Sequence, residues 1–195
     1  MNTLPLIPRA RTILSRSGRR TTALASSVLM LALAGCAAPT PQRYAAERPA
    51  LDLKTYFNGR LVAHGMVQDR FGHVRRRFRV DMTAQWQGRE GVLDERFTYS
   101  DGTTERRVWR LTDLGDGRYE GRADDVVGAA QGLAAGNALN WRYTLRLPVN
   151  GRVWEVQFDD WMFLIDERTM LNRATMSKWG IRLGDVTLSM TRLDP

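Results

Sequence analysis

From Arg77 the chain alternates polar and apolar residues one for one: Phe78, Val80, Met82, Ala84 and Trp86 are interleaved with Arg77, Arg79, Asp81, Thr83 and Gln85. Successive side chains of a strand point to opposite faces, so this pattern makes a strand with one apolar face, whereas a helix needs repeats of three and four. The same period returns at Leu139, Trp141, Tyr143, Leu145 and Leu147, and again at Val186, Leu188 and Met190. Strands of this kind cannot stand alone, because their edges and apolar faces both need partners.

Turn signals separate the strands at short intervals: Phe71-Gly72, Gln87-Gly88, Ser100-Asp101-Gly102, Gly115-Asp116-Gly117, Asn150-Gly151 and Ile165-Asp166-Glu167. Asn150-Gly151 is the strongest, since a two-residue hairpin turn requires positive φ at both central positions. Consecutive hairpins give an antiparallel meander, and closing it removes the edges. The expected fold is therefore all-β, an antiparallel up-and-down barrel of about eight to ten strands. A two-sheet sandwich is the alternative. Val126 to Gly136, rich in glycine and alanine, reads as a strand, or strand and loop, whose small side chains admit a close neighbour.

Before the alternation begins, the chain carries an address. Arginines (Arg9, Arg11, Arg16, Arg19, Arg20) precede an apolar run from about Ala23 to Leu33, followed by Leu33-Ala34-Gly35-Cys36. These are the parts of a secretory signal, and the last four residues resemble a lipobox. Residues 1–35 are expected to be a cleaved lipoprotein signal peptide, 36–50 a lipidated, proline-bearing tether, and 51–195 a single β-barrel domain. Cys36 is the expected attachment point for diacylglycerol and an acyl chain such as palmitate, giving a stable membrane anchor. Ala37, which is not an aspartate, favours the periplasmic face of the outer membrane by resemblance to sorted lipoproteins.

Cleavage also rewrites the charge. The chain has 29 basic and 21 acidic residues, and without the five arginines ahead of Cys36 the basic residues number 24, a net +3. That balance does not indicate a nucleic-acid partner. With Cys36 acylated, no free thiol remains in the mature chain, and His64 and His73 are the only histidines. No spacing of metal ligands is present, so neither a metal nor another cofactor is expected.

Four features bear on chemistry. Extending the alternation of Trp154, Val156 and Phe158 puts Asp160 of Phe158-Asp159-Asp160-Trp161 on the apolar face, where a carboxylate needs a partner. Arg142, Arg173 and Arg192 are candidates, and a purely structural ion pair is the competing explanation. The run Asn172 to Lys178 is polar on both faces, which suits a strand at an edge or one lining a cavity, with Arg173 or Arg142 holding an acidic head group. Asp160, Trp161, Arg142 and Arg173 are thus the ligand-binding candidates. Glu95, Asp124 and Asp125 supply carboxylates, with Asp124-Asp125 reading as a solvated turn. No Gly-x-Ser-x-Gly elbow or histidine nucleophile motif is present, so no catalytic residue is assigned. The six tryptophans are expected to fill the core.

The runs Tyr56-Phe57-Asn58-Gly59, Arg106-Arg107-Val108-Trp109-Arg110-Leu111, Tyr119-Glu120-Gly121, Ala123-Asp124-Asp125-Val126-Val127-Gly128, Gly136-Asn137-Ala138-Leu139-Asn140-Trp141-Arg142-Tyr143, Phe158-Asp159-Asp160-Trp161-Met162 and Asn172-Arg173-Ala174-Thr175-Met176-Ser177-Lys178 are similar to a family of bacterial lipoproteins termed domain of unknown function 3833. The resemblance covers nearly all of Leu51 to Leu193 and implies no activity. At fold level the chain also looks like a lipocalin-type barrel. Phe57-Asn58-Gly59 stands near that fold's first-strand motif, without its tryptophan, and Arg192 on the last strand would close against it.

Together these readings predict a membrane-anchored periplasmic lipoprotein, not an enzyme, that binds a small apolar or amphipathic ligand such as a fatty acid or lipid. The alternatives are an envelope structural or interaction protein with a filled barrel and, behind it, an enzyme acting on lipid or glycan through Asp159 or Asp160.

Overall fold

The computed structural model describes residues 38–193; Cys36 and the signal segment lie outside them. Among the described residues the chain forms ten strands: β1 (Gly59–Asp69), β2 (Val74–Gln87), β3 (Glu90–Tyr99), β4 (Thr104–Gly115), β5 (Arg118–Arg122), β6 (Ala130–Ala135), β7 (Ala138–Val149), β8 (Arg152–Leu164), β9 (Thr169–Lys178) and β10 (Ile181–Arg192). Each pairs antiparallel with the next, and β10 returns to β1 in a register running from Leu61 opposite Arg192 to Asp69 opposite Gly184. The meander is therefore a closed up-and-down barrel, the expected fold, and not the alternative two-sheet sandwich. The Leu193 amide donates to the Arg60 carbonyl just past the last pair, so Arg192 does lie at the closing seam.

The period-two pattern decides which face points in. Phe78, Val80, Met82 and Ala84 of β2 are buried, and Arg79, Asp81 and Thr83 between them are exposed. Asn150 and Gly151 both take positive φ, 51° and 75°, as the tight β7–β8 turn demands.

The two ends of the barrel differ. One end carries the β1–β2, β3–β4, β7–β8 and β9–β10 hairpins. The other is closed by a four-residue helix, α1 (Leu53–Tyr56), whose first turn is capped by the Asp52 carboxylate accepting from the Lys54 amide at 2.9 Å. Three hydrogen bonds hold this plug in place. The Trp86 Nε1 donates to the Phe57 carbonyl at 2.8 Å, and the Tyr56 hydroxyl reaches the carbonyls of Met190 at 3.1 Å and Arg168 at 3.2 Å.

The stretch expected as a tether is held against the barrel from Pro41 onward, so packing begins ahead of Leu51. Pro41–Tyr44 forms a single 3-10 turn with Pro41 buried. Tyr44 meets Phe163 edge-on at 5.1 Å and Trp161 at 6.1 Å, two rings that stack on each other on the outer wall. Gly136 admits this segment: a Cβ there would sit 1.6 Å from the Tyr44 carbonyl oxygen, and the Leu51 amide donates to the Gly136 carbonyl at 2.7 Å.

The wall between β4 and β7 is built from the two shortest strands. Where β5 and β6 stop, the loop 123–129 continues the barrel by an isolated bridge between Val126 and Leu145 and by the Arg146 amide donating to the Asp125 carbonyl at 2.8 Å. The close neighbour expected for the glycine-rich stretch is thus twofold, the Tyr44 backbone at Gly136 and an indole at Gly132. The Trp141 ring lies across the wall, and a Cβ on either Gly121 or Gly132 would come within 2.4 Å of it. Residues 39–195 make one compact unit with a core of its own.

Replacing Gly132 by alanine should therefore overpack the Trp141 contact and cost about 1–3 kcal/mol. In a domain of this size each kcal/mol lowers Tm by about 2–4 °C, and a thermal melt followed by tryptophan fluorescence measures it.

Candidate functional site

Ten strands enclose more space than their inward side chains fill. A cavity of about 440 Å³ runs along the barrel, within the range of small-molecule sites. At its closed end it is floored by Leu53, Phe57 and Leu111. Its middle is walled by Val80, Met82, Leu188 and Met190, and at the hairpin end it reaches Arg75, Arg76 and Val149, which are at the surface or near it.

A polar group interrupts this apolar lining at mid-depth. Glu95 on β3 and Arg107 on β4 are direct cross-strand partners, with the guanidinium 3.8 Å from the carboxylate. Arg107 also makes a two-bond contact with Asp125, through Nε at 2.9 Å and Nη2 at 2.8 Å, and so fastens the loop 123–129 to the strand it covers. The Trp109 Nε1 donates to Glu95 at 3.2 Å. Burial works against the charge of Arg107, but Glu95 and Asp125 outweigh it and hold its pKa above the usual value. Burial dominates for Glu95, pushing its carboxyl up although Arg107 and Trp109 pull the other way.

Across the cavity, Asp160 projects inward from β8 and is 7% exposed. The Asn172 Nδ2 donates to its carboxyl. Burial pushes Asp160 up to about 7, opposed by Asn172 and assisted by the negative charges of Glu95 and Asp159. Tyr143 stands in the same region, stacked on Phe158 at 5.0 Å and edge-on to Trp109 at 5.5 Å, and burial holds its hydroxyl firmly protonated. The site therefore offers hydrogen-bonding groups in a low-dielectric setting, with one carboxyl able to act as donor or acceptor around neutral pH.

Of the residues singled out from the sequence, Asp160 faces the cavity, as its place in the alternation required. Arg142, Arg173 and Trp161 do not. Arg142 lies between the inward Trp141 and Tyr143 and so points outward, pairing with Asp159 at 3.1 Å. Arg173 lies between the inward Asn172 and Ala174, and its exposed side chain pairs with Asp185 at 3.5 Å. Trp161 belongs to the outer wall beneath Tyr44. Neither arginine can meet Asp160 or an acid held inside the barrel. Asp159 and Asp160 are also separated, by the thickness of the wall, and cannot act together on one bond. Asp124 is solvated, while its neighbour Asp125 has the Arg107 contact.

Arg107 is the cavity residue that sequence reasoning passed over. Its signal was present in the phase of β4: Trp109 and Leu111 point inward, so Arg107 and Glu105 do as well. Asn172 was visible by the same rule, in phase with Met170 and Ala174.

Residues 30–192 match a family model described as Protein of unknown function (DUF3833). No curated protein matches the chain.

The elevated Asp160 gives a signed pH dependence. Between its ordinary 3.8 and about 7 the folded protein keeps a proton that the unfolded chain releases. Its contribution to stability is complete below that window and disappears as pH rises through it. The urea midpoint should therefore fall from pH 5.5 to pH 8, and Asp160→Asn should flatten that slope.

Proposed function

The chain belongs to that family, and we propose that it holds a single-chain amphipathic lipid, such as a fatty acid or lysolipid fragment, inside the barrel. The observation that carries this reading is the cavity itself, a mostly apolar channel of about 440 Å³ plugged at one end by Leu53 and Phe57. Hydrocarbon placed against Val80, Met82, Leu188 and Met190 would leave water at a free-energy gain of about 0.8 kcal/mol per methylene. The direction of insertion follows from charge. Mid-depth already holds the carboxyl groups of Glu95, Asp125 and Asp160 around the single guanidinium of Arg107, and burial there already works against the charge of Glu95 and Asp160, so a further anion is unwelcome. An acidic head group belongs at the mouth, where, among the described residues, Asp69 at 3.9 Å is the one carboxylate within 4.0 Å of Arg75. A neutral hydroxyl along the ligand could accept from or donate to Asp160 and Tyr143, and an ester could accept from them.

The address at Leu33 to Cys36 supports the second half of the proposal: a lipoprotein anchored through Cys36 in the cell envelope, at the periplasmic face of the outer membrane. Lipid ligand and lipid anchor would then occupy the same compartment.

A fluorescent polyene fatty acid should bind the protein with saturation, and lipid extracted from purified protein should contain single-chain species by mass spectrometry. Ala174→Trp, which places an indole in the cavity, should weaken probe binding at least about tenfold, since an overfilled site cannot relax without cost. Unchanged binding in that variant, or no binding in the parent, would refute the cavity reading. Labelled palmitate should enter the protein in cells and be absent from Cys36→Ala, with the label in the outer-membrane fraction.

A further inference from the structure

Three neighbouring hairpins at the open end carry large apolar side chains out into solvent. β1–β2 presents Phe71, β7–β8 presents Val153 and Trp154, and β9–β10 presents Trp179 and Ile181. Phe71 is 70% exposed, Val153 67% and Trp179 81%, although none of the three closes a core or lines the cavity. Because β10 pairs with β1 and β8 with β9, these tips form one continuous arc around about half of the rim. Exposed aromatic residues gathered in this way mark a contact surface.

The arc is also cationic. The Arg70 guanidinium lies 4.8 Å from the Phe71 ring centre, and the Lys178 ammonium sits between Trp179 and Trp154 at 4.8 and 5.2 Å. Among the described residues no carboxylate lies within 4.0 Å of the side-chain nitrogens of Arg70, Arg77 or Arg152. Two carboxylates lie within the arc, Asp69, which is engaged in the β1–β2 turn by the Phe71 and His73 amides and lies 3.9 Å from Arg75, and Glu155 beside Trp154; further acidic tips fall on the opposite half, Asp101 at β3–β4, bound to Arg76, and the solvated Asp124 at β5–β6.

We propose that this half-rim docks onto the surface of a bilayer bearing anionic lipid. Aromatic and aliphatic tips enter the interfacial layer, where indole and phenyl rings are favoured. The flanking Arg70, Arg77, Arg152 and Lys178 meet the negative headgroups, and the tips bearing Asp101 and Asp124 are left facing water. Charge complementarity selects this occupant over a second copy of the chain, whose matching rim would bring like charges together. The mouth of the cavity, bounded by Arg75 and Val149, then opens beside the membrane. The docking arc lies at the end opposite α1 and needs nothing from Cys36. It stands independently of what the cavity holds.

The test uses residues 39–195, the compact unit that contains the whole barrel, and sedimentation with vesicles of phosphatidylcholine alone or with about 30% phosphatidylglycerol, a content that sets the anionic surface potential. Binding should be at least about tenfold stronger to the anionic vesicles, weaken as salt is raised, and shift tryptophan emission to the blue. Phe71→Ser with Trp179→Ser, and separately Arg70→Glu with Arg152→Glu, should each lower it about tenfold while leaving Tm unchanged, since all four side chains are exposed. Ala174→Trp should lose fatty-acid probe binding and keep vesicle binding, which separates this proposal from the cavity reading. No vesicle binding, or binding indifferent to phosphatidylglycerol and to both double variants, would overturn it. So would self-association abolished by the serine pair without any vesicle binding.

Discussion

The pairing of β10 with β1 is the constraint on which the rest of the molecule depends. Without it both terminal strands would offer long rows of unpaired amides and carbonyls, and the inward faces would lie open. With it every strand has two neighbours, and alternation alone assigns each side chain to the interior or to solvent. Closure also fixes the amount of interior. Small barrels of about eight strands are filled by their own side chains or hold one small ligand, and ten strands leave the longitudinal cavity seen here. Large inward residues such as Trp109, Trp141 and Phe158 narrow that space without filling it.

The barrel is not uniform around its circumference, and its polar interior follows from that. β5 and β6 are too short to wall the open half between β4 and β7, so a loop does it, and a loop brings backbone and carboxylates close to the core. Arg107 resolves this by pairing with Asp125 from the loop and Glu95 from the adjacent strand at once. Glu95 is 16% exposed and Arg107 17%, so each depends on the other: an ion pair at this depth has little net advantage over apolar packing but is costly to break from one side. A cluster of structural origin thereby becomes the polar feature any ligand in the cavity must pass or meet.

The two ends complete the functional asymmetry. One is sealed by α1 through Trp86 and Tyr56, and the N-terminal segment is fixed nearby over Trp161 and Phe163. The other is open and bears apolar tips flanked by cations on one half of its rim. A channel closed at one end and amphipathic at its mouth fits a protein that exchanges an apolar ligand with a surface rather than with bulk water.

Much of this was legible in the residues. Period two made the strands, Asn150-Gly151 and its counterparts made the hairpins, and a meander of this length favoured closure over a sandwich; Asp160 facing inward came from the same rule. The rule would have placed Arg142 and Arg173 outside had their own phase been weighed before their chemistry. What periodicity could not supply is which partners meet across the barrel. That Arg107 would join Glu95 to Asp125, that Tyr44 would cross Gly136, and that the apolar hairpin tips would gather on one half of the rim all depend on strand register and on the order of strands around the ring. The sequence determined the faces, because the face of a strand residue is a local property of the extended backbone. Only the tertiary structure decided the cavity and its polar contacts, because these join residues far apart in the chain that become neighbours when the barrel closes.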